Sequence, residues 1–302
     1  MLISSTRLPN LLIIGAMKAS TTLLYELLQR HPQVWFPDEK EPAVFQDGRV
    51  NDPDRLRAYA QLYRAAPADA RYLGDASTAY TKLPHLGPTP RYIHAALGQP
   101  RMVYILRDPV ARTVSNFTHA WTRCSYPRDM SFRAALDRDP MIVDASRYHQ
   151  QLSAYHEQFG PDSVLVLIAE QLHHDPVRVM RRVEAYLEIE PFDGWDQPLD
   201  AVNSAQRVRA SASVQRWTGR SSIARRIGRA MPGSMRGIIK RMLPAPPPAP
   251  RVAAADRALV LERIADDLRA LYELLGDEID PWPSVRALSL HEHHVCAAAA
   301  VV

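Results

Sequence analysis

The stretch LLIIGAMKASTT, residues 11–22, joins a short apolar run to a glycine, one lysine and three hydroxyl side chains. The apolar run predicts a buried parallel strand, and Gly15 permits a backbone turn that a side chain would obstruct. Leucines at helical spacing predict that a helix begins near residues 20–22. The free N–H groups at the start of such a helix attract phosphate, and Lys18 adds a full positive charge. The stretch therefore predicts a phosphate-binding turn; the plainer alternative is a capped helix with a solvated lysine.

A second anion-binding pattern lies in YILRDPVARTVSNFTH, residues 104–119. Arg107 stands where an apolar run ends, and Ser115 lies about two turns into the helix that follows. A guanidinium is a rigid two-pronged donor that suits phosphate better than an ammonium group. For this stretch alone, an Arg107–Asp108 salt bridge with Ser115 facing solvent is the simpler alternative. Together with the first stretch, however, it predicts an anion site at one edge of a sheet.

Strand-like and helix-like segments alternate along the chain, and they are the elements that must position these residues. Such alternation implies a parallel sheet with right-handed crossovers, whose ligands bind at the carboxyl ends of the strands. The expected fold class is α/β: a three-layer sandwich with a central parallel sheet and a P-loop-like phosphate-binding turn. The predicted strands are 11–14, 72–75, 101–106 and 164–168, and the predicted helices are 21 onward, 54–66, 89–97, 110–121, 146–159, 176–187 and 255–275.

The composition is that of an ordinary globular protein: 302 residues, 46% hydrophobic and 23% charged. No stretch approaches the roughly 18–20 apolar residues that a membrane-spanning helix needs, and the N-terminus is not a persuasive signal peptide. Two cysteines, Cys124 and Cys296, form neither a disulfide framework nor a metal site, so a cytoplasmic location is the default expectation. The net charge of +4 favours anionic ligands or surfaces.

The segment 203–250 departs from this pattern. Between residues 216 and 241 it holds eight Arg or Lys residues and no acid, mixed with Ile, Met and Leu. PAPPPAP, residues 244–250, predicts a stiff extended connector. A mobile insert and a patch that contacts an anionic membrane surface are both compatible with this composition. We expect one domain over residues 1–285, which includes this insert, and a flexible tail over 286–302.

Several stretches resemble sulfotransferases that use 3′-phosphoadenosine 5′-phosphosulfate (PAPS). IIGAMKASTTLLYELLQRHPQV resembles their 5′-phosphosulfate loop, and YILRDPVARTVSNFTH resembles their 3′-phosphate motif, with arginine and serine eight positions apart. SRYHQQLSAYHEQFGPDSVLVLIAEQLHHDP and LYELLGDEIDPW are similar to later parts of bacterial and carbohydrate-type members. The resemblance, over residues 8–283, implies transfer of a sulfuryl group from PAPS to a hydroxyl of a sugar, lipid or secondary metabolite, without a metal.

The resemblance also implies roles for individual residues. Lys18 is expected to neutralise charge that develops on the leaving phosphate. Ser20 stands where relatives usually carry glycine; a positive φ there would strain a serine, and its hydroxyl is expected to cap the helix. The implied cofactor-binding residues are Gly15, Lys18, Ala19, Ser20, Thr21, Thr22, Arg107, Ser115, Arg207 and Arg209, the last two in a loop that closes over the cofactor.

Candidates on the acceptor side come from three stretches. Glu41, in DEKEPAVF, resembles the glutamate of a K-E-P-x-x-F segment that deprotonates the acceptor hydroxyl; a solvated loop acid is the alternative. His119 lies one turn after Ser115 on the same helix face, where it is a second candidate base, a phosphate contact or an ordinary interfacial histidine. Asp75 and Ser77, in GDASTAY, resemble a substrate-side loop, although Asp75 could instead cap the following turn.

Two other functions would account for some of these sequence features but not for all of them. A P-loop kinase requires G-x-x-x-x-G-K-[ST], and this chain lacks the second glycine and the lysine after it. A non-catalytic nucleic-acid-binding protein would use the positive charge but would leave the two phosphate patterns unexplained. Its basic segment offers only Trp217 for base stacking, so no nucleic acid partner is expected.

Overall fold

The computed structural model of the chain describes residues 7–123, 125–127, 129–197, 248–276, 279 and 282–286. Its strands are β1 Leu11–Gly15, β2 Val34–Trp35, β3 Tyr72–Asp75, β4 Arg101–Leu106 and β5 Val164–Ile168. They form one sheet in the order β2-β3-β1-β4-β5, and all neighbouring pairs are parallel. The predicted parallel sheet is therefore confirmed.

Strand β1 lies between β3 and β4, so the turn after β1 has a neighbour on each side. Leu12 is in register with Asp75 of β3 and with Met102 of β4, and Gly15 is in register with Tyr104. The carboxyl ends of β1 and β4 consequently reach the same edge of the sheet. In open parallel sheets this edge is where ligands bind.

Alternate residues of β1 point to opposite faces of the sheet, and each face is covered by helices. Leu11 and Ile13 belong to one buried cluster, whereas Leu12 and Ile14 belong to another. This burial on both faces explains why the strand reads as a continuous apolar run. The result is a three-layer α/β sandwich, as predicted.

Helices from several parts of the chain form the two outer layers. Helix α1 and helix α9 pack on the face of Leu11, and α4, α7 and α10 pack on the opposite face. The helices are α1 Thr21–Leu28, α2 Pro53–Gln61, α3 Thr89–Leu97, α4 Pro109–Thr122, α5 Phe132–Arg138, α6 Met141–Asp144, α7 Tyr148–Phe159, α8 Ala169–His174, α9 Pro176–Leu187 and α10 Ala254–Leu275.

The sequence anticipated the long elements and missed the short ones. The long predicted helices are present within a few residues of their expected ends, and Gly276 ends α10 with φ +52° as a C-terminal glycine should. Helices α5, α6 and α8 were not expected, because four to seven residues are too few to display a helical period. Among the described helices, none has the length and hydropathy to cross a membrane. The predicted basic insert and the C-terminal tail lie largely outside the described residues.

Candidate active site

The turn after β1 requires glycine at residue 15. Gly15 has φ +154°, and a Cβ added to it would lie 2.0 Å from Oγ1 of Thr81. Thr81 is held there because its hydroxyl donates to the carbonyl of Ile14 at 3.1 Å. The amide of Ala16 donates to the carbonyl of Ile105 at 2.8 Å and so ties the turn to β4. A side chain at this position would obstruct the turn, as the sequence indicates.

Two further residues of the turn adopt a left-handed backbone although they are not glycine. Lys18 has φ +70° and Ser20 has φ +67°. Each such residue costs on the order of 1–3 kcal/mol. Ser20 precedes α1, but its side chain caps no backbone amide, so the expectation of a serine cap is wrong. Side-chain capping needs a β-region backbone at this position, and the Ser20 hydroxyl instead lies 2.8 Å from Nε2 of His173 on α8.

The two predicted anion-binding stretches meet in the structure. Nη1 of Arg107 donates to the backbone carbonyl of Lys18 at 3.0 Å. The Tyr148 hydroxyl donates to the carbonyl of Arg107 at 2.7 Å and fixes the backbone from which the guanidinium extends. The contact follows from the sheet order, because β1 and β4 are neighbours and their turns share an edge.

Asp108 caps helix α4 and does not pair with Arg107. Its Oδ1 accepts from the amide of Ala111 at 2.9 Å, and its Oδ2 accepts from the amide of Ser284 at 3.3 Å. The simpler alternative of an Arg107–Asp108 salt bridge is therefore wrong. Ser115 is half-buried on α4, about two turns beyond this cap, as expected.

Glu41 lies beside the predicted phosphate-binding turn (residues 15–20, hereafter the phosphate turn), although its own segment contains no regular helix or strand. Its Oε2 accepts from the Thr78 hydroxyl at 3.2 Å, and its Oε1 is 3.4 Å from Nζ of Lys40. The same Lys40 ammonium donates to Oγ1 of Thr22 at 2.8 Å, at the start of α1. Lys40 thus links the predicted base to the predicted phosphate site. The Glu41 side chain remains 45% exposed, so a ligand can reach its carboxylate.

Several cations surround the Lys18 ammonium group. Burial lowers the pKa of Lys18, and the charges of Arg123, Arg107 and Lys40 lower it further, while Glu41 acts in the opposite direction. Cations held this close repel one another, and an anion bound among them relieves that repulsion. The electrostatics therefore favour an anionic ligand at the turn.

His119 lies near Lys18 and lines a cavity of about 470 Å³. Burial lowers the pKa of His119 to about 4, with contributions from the positive charges of Lys18 and Arg123. The imidazole is consequently neutral at pH 7. It is placed to donate or accept a hydrogen bond, and it adds no charge to the site.

Asp75 and Ser77 are buried beneath the site. Asp75 is 1% exposed, and its carboxylate accepts hydroxyl hydrogen bonds from Tyr59 at 2.6 Å, Tyr80 at 2.7 Å and Ser77 at 2.5 Å. Ser77 is fully buried and also accepts from the amide of Ala43. The burial of both side chains argues against the direct substrate contact that the sequence predicts for them. Their hydrogen bonds instead hold the loop that follows β3 in place.

Sequence reasoning missed four residues near the turn. Arg112 is fully buried, and its guanidinium donates to Ser146 at 2.5 Å, to the carbonyl of Ile142 and to the carbonyl of Met17 at 3.4 Å. It therefore braces α4 against the phosphate turn. The other three, Lys82, Arg123 and His173, line the cavities beside the turn.

Two expected cofactor contacts, Arg207 and Arg209, lie outside the described residues. Ala19 and Thr21 are buried at the start of α1, where their backbone belongs to the turn, and Thr22 is exposed. Within the part of the chain that the structure describes, no three metal-ligating side chains cluster.

The fold and the paired turns define an α/β protein in which cationic side chains gather at the ends of β1 and β4. Residues 43–194, half of the chain, match the sequence model described as the sulfotransferase family. The chain belongs to the sulfotransferase family. The matched range contains Arg107, Ser115 and His119, whereas Lys18 and Glu41 precede it.

Individual relatives are similar to parts of this chain. The membrane-associated sulfotransferase kil1 of Dictyostelium discoideum is 28% identical over 157 residues, which cover 50% of this chain and 32% of that protein. Human heparan sulfate glucosamine 3-O-sulfotransferase 6 is 28% identical over 192 residues, which cover 60% of this chain and 52% of that protein. The chain thus spans about a third and about half of the length of these two relatives.

A solved structure has the same fold. The crystal structure of a sulfotransferase from Alicyclobacillus acidocaldarius matches 89% of this chain and 96% of its own, with a TM-score of 0.60 and 21% sequence identity. At this identity the likeness concerns the fold.

Proposed function

We propose that this protein transfers a sulfuryl group from PAPS to an acceptor hydroxyl. The observation that supports this most strongly is the hydrogen bond from Arg107 to the carbonyl of Lys18, because it joins two separate anion-binding motifs into one site. A donor with phosphate at both the 3′ and the 5′ position of its ribose needs two such groups at once. Membership of the sulfotransferase family supports the same reaction class.

The residues present fit PAPS. The Lys18 ammonium, the hydroxyls of Thr21 and Thr22 and the N-terminus of α1 suit the 5′-phosphosulfate, since all of them attract anions. Arg107 and Ser115 suit the 3′-phosphate. Gly15, Ala19 and Ser20 supply the turn itself, and Arg207 and Arg209 belong to the same proposal as residues of a closing loop. When bound, PAPS supplies the sulfuryl group and a leaving phosphate for an in-line displacement.

Lys18 stabilises negative charge where the leaving phosphate forms. A preorganised cation at such a position contributes several kcal/mol in a site that excludes water. Burial lowers the pKa of Lys18 most, and the positive charges of Arg123, Arg107 and Lys40, which would act on the same leaving group, lower it further.

Glu41 accepts the proton of the acceptor hydroxyl. Its carboxylate is exposed enough for contact, and Thr78 and Lys40 orient it from either side. His119 is a neutral hydrogen-bonding partner near Lys18, and it is the second candidate for the base.

The acceptor in this proposal is a glycan or a small molecule that bears a hydroxyl group. One similar protein is named for the glucosamine of heparan sulfate and another for its association with a membrane, which makes a glycan and a peripheral membrane contact reasonable for this chain. We assign the membrane contact to the basic residues 216–241. In this proposal residues 1–285 form a single domain, and the protein is cytoplasmic. Vesicles of anionic phospholipid should bind the full chain and should not bind a chain that lacks 216–250.

The central test compares three ligands by thermal stabilisation. PAP, the product of the donor, should raise the melting temperature, whereas ATP with Mg²⁺ and a single-stranded oligonucleotide should not. Extracts incubated with the protein and PAPS should then yield products heavier by the mass of SO₃. Stabilisation by ATP with Mg²⁺ alone would indicate a kinase, and stabilisation by the oligonucleotide alone would indicate a nucleic-acid-binding protein.

A further inference from the structure

Two cavities adjoin the phosphate turn, and they have no lining residue in common. The first, of about 420 Å³, is lined by Ser20, Arg107 and His173 among others. The second, of about 470 Å³, begins at Met17 and extends along α4 past His119 to Arg123. Arg107 lines the first cavity and is the proposed partner of the 3′-phosphate, so the 3′-phosphate of the donor is assigned to that cavity. The second cavity is then available to the other substrate.

The second cavity is rich in positive charge. Lys82, Arg123 and Arg138 line it, and among the described residues around it Asp139 is the one carboxylate. Asp139 already accepts a hydrogen bond from the Tyr126 hydroxyl at 3.1 Å. The side chains of the three cations make no hydrogen bond to any residue in the described part of the chain. Their donors are free to bind a ligand.

The charges of this cavity also act on the proposed reacting groups. Arg123 lowers the pKa of Lys18 and of His119 through its positive charge. Burial lowers the pKa of Lys82, and the carboxylate of Glu41 opposes that effect. Lys82 is therefore within electrostatic reach of Glu41. A molecule in this cavity would have one end near Glu41 and Lys18 and the other end among the arginines.

Resting on the proposed function above, we propose that this cavity binds an acidic acceptor, whose carboxylate or sulfate ester pairs with Arg123 and Arg138 while its hydroxyl faces Glu41. Lys82 lies between these two ends of the acceptor. An arginine fork binds carboxylate and sulfate oxygens through two parallel hydrogen bonds, which fixes the orientation of the ligand as well as its charge. A neutral analogue would form neither of these ion pairs, although it could still occupy the cavity. The acceptor class is thus an anionic alcohol, such as an acidic sugar.

The simplest probe is the sulfate ion, because it carries the acidic group without a scaffold. The full chain is saturated with PAP, which fills the phosphate positions, and titrated calorimetrically with sodium sulfate at an ionic strength held constant with sodium chloride. Crystals of the PAP complex are soaked in sulfate to locate the ion. We expect sulfate against Arg123 or Arg138 in the cavity, and an affinity reduced at least ten-fold in the double variant Arg123→Gln/Arg138→Gln.

A matched control is the double variant Arg64→Gln/Arg91→Gln, which removes the same charge from exposed positions away from the cavity. It should bind sulfate like the wild type. Acetate serves as a second probe: displacement of sulfate by acetate would identify a carboxylate acceptor, and sulfate binding that acetate does not disturb would identify a sulfate ester.

Two results would contradict the proposal: sulfate density beside Lys18 or elsewhere with none in the cavity, or a sulfate affinity that the Arg123/Arg138 double variant leaves unchanged. PAP affinity is measured on every variant and checks that each one is folded. A wild-type chain that does not bind PAP would contradict the proposed function. A chain that binds PAP while its cavity rejects sulfate would contradict this inference alone.

Discussion

The hydroxyl oxygen of Ser20 lies 2.8 Å from Nε2 of His173, although 153 residues separate them along the chain. Ser20 holds a left-handed backbone with φ +67° at the start of α1, and no side-chain cap compensates. The histidine therefore fixes a serine at a place that glycine would occupy without strain. This contact is formed by α8, which follows β5, and it joins two elements at the edge of the sheet.

We predict that the Ser20–His173 contact positions the phosphate turn. His173→Ala should weaken PAP binding several-fold in the wild type, because Ser20 loses the partner that holds it. Ser20→Gly should raise the free energy of unfolding by roughly 1 kcal/mol, since a left-handed conformation costs glycine little. In the Ser20→Gly background, His173→Ala should have almost no further effect on the PAP dissociation constant.

The measurement is a double-mutant cycle on PAP affinity by calorimetry, with melting temperatures alongside. His174→Ala, the neighbouring histidine that lines the same cavity, serves as the control. Additive effects of the two substitutions would show that His173 acts independently of Ser20.

Replacement of Lys18 by alanine should impair turnover far more than binding of PAP. Loss of a preorganised cation at the leaving group lowers kcat by about a hundred- to a thousand-fold. PAP should still bind through Arg107 and Ser115, so its dissociation constant should change by much less. Arg107→Ala should give the opposite pattern, because we propose that this guanidinium binds the 3′-phosphate, and it also donates a hydrogen bond to the carbonyl of Lys18 in the turn. Near wild-type turnover in Lys18→Ala would contradict the role given to the lysine.

Glu41→Gln should lower kcat at neutral pH by about a hundred-fold or more, because an amide cannot accept the acceptor's proton. Glu39→Gln is the matched control, since that acid is exposed and only two residues away. Steady-state rates of the two variants against the same acceptor measure the effect.

His119 offers a second check on the base. Its pKa of about 4 means that it stays neutral from pH 5 to 8, so His119→Gln should leave the shape of the pH–rate profile unchanged in that range. An unchanged kcat in Glu41→Gln together with a large loss of kcat in His119→Gln would show that His119, and not Glu41, is the general base.

Asp75 should make the stability of the protein depend on pH. Burial raises its pKa to about 6 from 3.8, while the hydroxyls of Ser77, Tyr59 and Tyr80 act in the opposite direction. The folded state therefore holds this proton more tightly than the unfolded chain does. The resulting stabilisation is complete below the unfolded pKa and is lost as the pH rises through about 6.

The free energy of unfolding of the wild type relative to Asp75→Asn should accordingly fall between pH 4 and pH 7, by an amount on the order of 2–3 kcal/mol. Urea unfolding at each pH measures it. Asp69→Asn, at an exposed position, should show no such trend relative to the wild type. A constant difference between the wild type and Asp75→Asn would mean that Asp75 has an ordinary pKa.

The sequence by itself determined the sheet, the two turns and the residues that lead into them. Doubly buried strands such as β1 and β4 must be continuously apolar, and the points where the apolar runs stop mark the edge at which Lys18 and Arg107 meet. Gly15 could be predicted for a similar reason, because it follows the apolar run directly, and in the structure a Cβ at this position would lie 2.0 Å from Oγ1 of Thr81. These signals depend on residues that are close together in the sequence, so they can be recognised without the structure.

Only the tertiary structure decided which remaining side chains surround the site. Arg112 and His173 reach the turn from segments far along the chain, and no periodicity marks such contacts. Asp75 looked like a candidate for substrate contact, yet three hydroxyl donors enclose it, because burial depends on what packs above a loop. The charge of the second cavity arises in the same way, from Lys82, Arg123 and Arg138 on different elements. Distances in space create these features, and a linear sequence does not record those distances.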